Sequence, residues 1–295
     1  MAVFYISSFA DESAADLAGQ IDAMKRNKIR FLEIRNVDSV SAVDLEESKL
    51  REIEKELSAA GIAVSSLGSP IGKYEITEPF APHFERFKRA LQAAHLLKTD
   101  KMRIFSFFIP EGHAEREYTD EVLERMDQML SLAEKENVTL CHENEARIFG
   151  RLPAECLFLQ EKLPRLKAIF DPSNYIKEDV QISPAIDSLA KYLEYIHIKD
   201  CCYEDKAIVP AGMGDGKVAE VVEKTAAARG DKDTFATIEP HLKSFTGYDK
   251  LDHRAMKHRI HFENRPQAFD AAVNAFKQIL TDLGYKEGAD LGWRK

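Results

Sequence analysis

Eight short apolar runs, separated by longer stretches with helical periodicity, constrain this chain more than any other feature. The runs span residues 3–8, 30–35, 62–68, 101–108, 138–143, 166–171, 193–200 and 234–239. Between them, LEESKLREIEKELSAAG places Leu50, Ile53 and Leu57 at i, i+3, i+7. TDEVLERMDQMLSLAEKEN places Val122, Met126, Met129 and Ala133 at i, i+4, i+7, i+11. Each set falls on one face of a helix. Gly61 and Asn137 follow these stretches as helix stops. A last helix is predicted from about Arg265 to Leu283, closed by Gly284. Strands that alternate with helices pair in parallel, because each crossover returns the chain to the same end of the sheet. Eight such units in 295 residues match an α/β fold of the (β/α)8 barrel type, a single domain over residues 1–295. A doubly wound open sheet competes, but the first strand runs into SSFADES, without the glycine-rich turn usual there.

Charge and cysteine usage narrow the function classes. The formal net charge is −9 and no basic block occurs, so nucleic acid and anionic membranes find little electrostatic support. Cys141, Cys156, Cys201 and Cys202 form no CxxC pair, and the adjacent two would bridge only with strain. They read as free thiols in a reducing compartment. MAVFYISSFADES lacks a basic n-region, and no apolar run reaches membrane-spanning length. A cytoplasmic protein acting on a small molecule is the expectation, with no nucleic-acid or membrane partner.

The strand ends carry the chemistry. The fifth run ends in CHENE, the sixth in IFDPSNY, the seventh in IHIKD and the eighth in IEPHL. Each offers a metal-competent group: Glu143, Asp171, His197 and Glu239. In a parallel barrel all C-terminal strand edges meet at one face. Strand alternation turns Phe170, Ile196, Ile198 and Ile238 outward and so turns Asp171, His197 and Glu239 toward the axis. Three carboxylates and one imidazole suit a single divalent ion, Mn²⁺ first, with Mg²⁺, Co²⁺ or Zn²⁺ also compatible, better than a thiolate zinc site.

The motifs CHENE, FDPSN, HIKD, PAGMGDG and IEPH, in this order, resemble those of the xylose isomerase-like (β/α)8 barrels, the sugar-phosphate isomerases and epimerases. The resemblance runs over essentially the whole chain. It implies metal ligands at Glu143, Asp171, His197 and Glu239. In the ketose 3-epimerase branch the two glutamates, here Glu143 and Glu239, double as acid and base. That branch has a histidine where this chain has Asn174, and an arginine where it has Tyr203. The wider group also includes inosose dehydratases, hydroxypyruvate isomerases and abasic-site endonucleases. The expected activity is a metal-dependent sugar or sugar-phosphate isomerase or epimerase working through an enediolate. A keto-sugar lyase or dehydratase on the same centre is the alternative. A phosphodiesterase fits less well, because it needs more ligands and a basic face.

Other residues are expected near the mouth. Lys199 has the inward parity of His197 and serves either an oxyanion or phosphate, or a rim salt bridge. His241 shares the parity of Glu239 and is either a site residue or a loop cap. His142 has the opposite parity to Glu143 and reads as packing. GSPIGKYEI offers Ser69 and Lys73 as substrate contacts, Phe107 a sugar-stacking face, Asn174 a polar contact, and Phe105 core packing. In RFLEIR, Glu33 and Arg35 point inward; Arg103 on the fourth strand is expected to pair with Glu33, leaving Arg35 nearer the substrate. PAGMGDG lacks the strand–GxGxxG–helix context of a dinucleotide site and reads as a turn that lets backbone approach the substrate. HRAMKHRIHFEN, after the eighth strand, reads as a solvated face with a candidate role as lid or subunit contact, compatible with a homo-oligomer.

Overall fold

The computed structural model describes residues 3–244 and 257–295. The eight runs form β1 (Phe4–Ser8), β2 (Phe31–Ile34), β3 (Ala63–Leu67), β4 (Lys101–Ile104), β5 (Thr139–Glu143), β6 (Lys167–Phe170), β7 (Leu193–Ile198) and β8 (Thr234–Ile238). Each pairs in parallel with the next. β8 returns to β1 in a register from Phe4↔Thr234 to Ser8↔Ile238, which closes the barrel and excludes the open sheet.

Around it lie α1 (Leu17–Arg26), α2 (Glu47–Ala59), α3 (Phe80–Leu96), α4 (Thr119–Lys135), α5 (Pro153–Lys162), α6 (Pro172–Lys177), α7 (Ile182–Leu189), α8 (Val218–Arg229) and α9 (Arg265–Asp282). The predicted helix faces are the buried ones, with Leu50, Ile53 and Leu57 on α2 and Val122, Met126, Met129 and Ala133 on α4. Asn137 and Gly284 take the left-handed backbone that stops a helix, with φ of +55° and +84°. Among the described residues no helix is long and apolar enough to cross a membrane. All four cysteines are buried free thiols.

Two runs depart from expectation. The fourth does not continue as strand to residue 108. Beyond Ile104 the chain leaves the barrel to pair with the loop after β3: Phe105 N–H donates to the Ile71 carbonyl at 2.8 Å and Phe107 N–H to that of Gly72 at 2.9 Å. Gly72 has φ +90°, and a Cβ there would strike the Phe105 backbone. The seventh run splits after Ile198, and Asp200–Cys201 pairs antiparallel with Ile208–Val209. At the opposite end of the barrel, Gly292–Arg294 adds antiparallel to β1 through Phe4↔Trp293, and the Tyr5 hydroxyl donates to Asp290 at 3.1 Å.

Inside the barrel the alternation expected from sequence holds. Leu32, Ile34, Met102, Ile104, Phe170, Ile196 and Ile238 join the large outer core with the helices. Cys141, Ile169 and Tyr195, with Phe235 against them, form a separate small cluster within the barrel. Glu33 and Arg103 are buried.

Candidate metal centre

Glu143 is the last residue of β5, and Asp171 and Glu239 stand one residue past β6 and β8. His197 is the penultimate residue of β7. All four are at most 3% exposed. One donor atom from each lies within 4.8 Å of every other, as one ion bound at about 2.0–2.3 Å would require. His197 Nδ1 sits between the glutamates, 3.2 Å from Glu143 Oε1 and 3.3 Å from Glu239 Oε2. The residues therefore fit a divalent ion: an oxygen-rich donor set with one imidazole nitrogen aimed at it.

The loops fix these groups. The Asn144 side chain donates to the Asp171 carbonyl and accepts from its N–H, both at 3.0 Å, which ties the ends of β5 and β6 together. Asp171 caps α6, its Oδ1 accepting the Asn174 N–H at 3.0 Å. Asn174 Nδ2 donates to Glu143 Oε1 at 3.2 Å. Asp200 accepts N–H donors from Gly212, Gly214 and Gly216 at 2.8, 3.1 and 2.8 Å. A Cβ at Gly216 would lie 2.6 Å from that carboxylate. The glycines of PAGMGDG thus wrap an internal carboxylate. Their N–H groups are committed to Asp200, which corrects the reading that they face substrate.

Cations surround the carboxylates. Lys199 Nζ lies 2.7 Å from Asp171 Oδ2 and 3.2 Å from Glu239 Oε2. Arg35 reaches Asp11 at 2.9 Å, Glu12 at 3.3 Å and Glu239 at 3.2 Å. His241 Nε2 is 3.4 Å from both Glu12 and Glu239, so a second metal-competent group, Glu12, Glu239 and His241, shares Glu239 with the first. The Arg35 guanidinium already lies against its two carboxylates. Burial raises the pKa of Glu239, but Lys199 and His241 outweigh it and hold the carboxyl well below its ordinary value. Burial dominates at Asp171 and pushes it up to about 6 against the pull of Lys199. Burial likewise pushes Glu12 up to about 8 despite Arg35, and holds His241 down to about 3.

Several expectations need correction. Arg103 is inside the barrel, but its ion pair is with Glu143 at 3.1 Å and not with Glu33. Its side chain runs up toward the mouth, where its other donors meet the carbonyls of Gly68 and Ser69. Phe107 does not face the centre. Its φ of +71° turns the ring out among the helices, against Tyr74, His83 and Arg125. Phe105 takes that side instead, with Lys73 Nζ 4.4 Å and the Arg103 guanidinium 5.1 Å from its ring centre. Ser69 spends its hydroxyl on the Arg103 carbonyl and so anchors the loop. Lys73 pairs with Glu145 at 2.8 Å. His142, as its parity suggested, packs away from the centre and meets Ser106 at 2.8 Å.

Sequence reasoning missed Phe9, Asp11 and Glu12. Phe9 lies edge-on to His197 at 5.3 Å and under Arg35 at 4.5 Å. The signal was present, since Phe9 continues the inward parity of Tyr5 and Ser7. Of HRAMKHRIHFEN, residues 253–256 lie outside the described residues. In the rest, His258 bridges to Ile208 and donates to the His241 carbonyl at 2.7 Å. Two surface clefts, about 350 and 320 Å³, lie near Tyr285 and between α2 and α3, and none of the four strand-end residues lines either.

A closed parallel barrel with a carboxylate–imidazole centre at its C-terminal strand edges defines the class of protein. The family model described as xylose isomerase-like TIM barrel matches residues 21–239, and the chain belongs to that family. No curated protein matches the sequence. Among solved structures, a D-psicose 3-epimerase determined in the presence of D-fructose is 15% identical, covers 95% of this chain and 99% of its own, and superposes with a TM-score of 0.74. A probable 3-DHS dehydratase, AsbF, from Bacillus anthracis is 14% identical, covers 94% and 99%, and gives 0.69. An IOLI protein with a bound zinc atom is 12% identical, covers 94% and 98%, and gives 0.71. At these identities the likeness speaks for the fold.

Proposed function

We propose that the protein is a divalent-metal-dependent sugar or keto-sugar isomerase or epimerase. The observation that carries this reading is the convergence of Glu143, Asp171, His197 and Glu239 within 4.8 Å at the barrel mouth. Glu143, Asp171, His197 and Glu239 would hold a divalent ion, Mn²⁺ by preference, which when bound would supply the Lewis acidity that polarises a substrate carbonyl and a neighbouring hydroxyl. Glu143 and Glu239 stand on either side of the His197 Nδ1 atom and serve as the proton-transfer pair next to that carbonyl. Arg103 and Asn174 hold the Glu143 carboxylate; Lys199 and Arg35 hold that of Glu239. Both bases are thus fixed before substrate arrives. Lys199 also supplies positive charge to a developing enediolate oxygen. His241, Arg35, Lys73 and Asn174 remain the proposed substrate contacts, and Phe105 replaces Phe107 as the aromatic one.

A panel of ketoses and sugar phosphates, assayed with Mn²⁺ in D₂O and followed by NMR, tests the proposal. Solvent deuterium should enter the carbon next to the carbonyl with the formula otherwise retained. Product without deuterium at carbon would rule out the enediolate route. The Lys199 ammonium beside the Glu239 base also suits a departing hydroxide, so the second reading is a dehydratase, identified by loss of water.

A further inference from the structure

Beneath the centre lies Glu33, inside the barrel as its parity implied but with partners other than Arg103. It lies on β2, fully buried, across the barrel from β7. Tyr195, with which it is bonded, packs on Cys141 and Ile169. A carboxylate in such a place costs several kcal/mol unless it is paired. Its partners are specific. Glu33 Oε2 lies 3.3 Å from His197 Nε2. Glu33 Oε1 accepts the Tyr195 hydroxyl at 2.8 Å, and the Ser66 hydroxyl is 3.1 Å from that same phenolic oxygen. Phe9 holds the imidazole from its edge at 5.3 Å.

His197 has only two ring nitrogens, and each faces carboxylates on a different side of the ring. Nδ1 faces Glu143 and Glu239. Nε2 faces one carboxylate whose other oxygen is already committed. A neutral imidazole carries its proton on the nitrogen that has an acceptor, and a metal takes the other. We infer that Glu33 is a positioning residue for the candidate metal centre: braced by Tyr195 and Ser66, it keeps the His197 proton on Nε2 and so presents the Nδ1 lone pair to the ion. The inference rests on the metal-centre reading above. It assigns a task to four side chains, Glu33, Tyr195, Ser66 and Phe9, that are not among the candidate ligands.

Glu33→Gln keeps the size and removes the charge. Because the Tyr195 hydroxyl donates to Oε1, the introduced amide is held with its oxygen toward Tyr195 and its NH₂ toward Nε2. That pushes the His197 proton to the wrong nitrogen. Adding Tyr195→Phe frees the amide to turn over. The experiment combines calorimetric titration of the full chain with Mn²⁺ and Zn²⁺, and ¹H–¹⁵N NMR of the histidine rings in the Zn²⁺-loaded protein.

The wild type should show the Nε2–H form of His197. Glu33→Gln should bind either metal about 10- to 100-fold more weakly, and the double variant should recover part of that loss. A role in barrel stability alone would shift melting of the metal-free variant while leaving affinity and tautomer unchanged, and that result overturns the inference. So does a wild-type spectrum with the proton on Nδ1, a readout that stands even if Glu33→Gln does not fold. If the wild type binds neither metal, the metal-centre reading itself fails and takes this inference with it. Equal affinities in wild type and Glu33→Gln defeat only the inference.

Discussion

Single side chains at this centre are held by opposite charges at close range, which makes their removal informative. Arg103 is 3% exposed and pairs with Glu143. Arg103→Met leaves that carboxylate buried beside fewer donors, so urea denaturation of the metal-free protein should show a loss of about 3–5 kcal/mol. The loss should shrink when Mn²⁺ is present, because the ion compensates the same carboxylate. Lys199 bears on the ion in the opposite sense. Its ammonium lies against Asp171 Oδ2 and Glu239 Oε2, so an ion at the cluster shares those oxygens with a cation or displaces it. Like charges a few ångströms apart repel by up to a few kcal/mol at protein-surface dielectric. Lys199→Met should therefore tighten Mn²⁺ binding about tenfold while lowering turnover, read by calorimetry beside the assay. Unchanged or weaker binding would show that the lysine does not oppose the ion. For the proposed bases, Glu143→Gln and Glu239→Gln keep an oxygen donor and lose basicity. Each should lower turnover about 10²-fold or more, beyond what measured metal occupancy explains.

At the level of elements, the loop after β3 is bound to α3 through a neutral histidine. The Gly72 N–H donates to His83 Nε2 at 3.0 Å, and Tyr74 stacks on the ring at 3.8 Å. Burial, with Arg86 and Arg125 nearby, holds the His83 pKa down to about 4. Between pH 4 and the ordinary histidine value near 6.5, the unfolded chain binds the extra proton and the folded chain does not. Stability from this residue is therefore present at pH 7 and lost as pH falls through that window, by about 2 kcal/mol at pH 5. His83→Gln, whose amide oxygen can accept the same N–H, should show a smaller drop in Tm between pH 7 and pH 5 than the wild type. An equal drop would place the titration elsewhere. The same loop explains why strand 4 is shorter than its apolar run: residues 105–107 prefer hydrogen bonds to 71–72 over continued barrel pairing.

For the molecule as a whole, the barrel carries the candidate metal centre at one end and an added C-terminal strand at the other. The C-terminal segment adds to β1 at the end away from the centre, and the only tryptophan in the sequence, Trp293, is buried there. Trp293→Ala should cost about 3 kcal/mol or more in urea, with metal affinity unchanged. A change in affinity would mean that the two ends of the barrel communicate. Within the wild type, Trp293 fluorescence reports unfolding of this end.

What the sequence determined by itself was local. Strand parity depends only on the two-residue repeat, so Glu143, Asp171, His197 and Glu239 could be placed on the inner face at the same end before any pairing was known. Helix faces and stops were legible for the same reason, because the 3.6-residue period and left-handed glycine or asparagine are properties of neighbouring residues. Only the tertiary structure decided how far each side chain reaches. Arginine is long enough to leave its own layer, so Arg103 climbs to Glu143 and leaves Glu33 to His197 and Tyr195. A single positive φ turned Phe107 outward and gave its place to Phe105. Barrel closure brought Glu12 and Arg35, from the first two strand–helix units, against His241 and Glu239 from the eighth. Those contacts span more than two hundred residues of chain and leave no periodic trace in it.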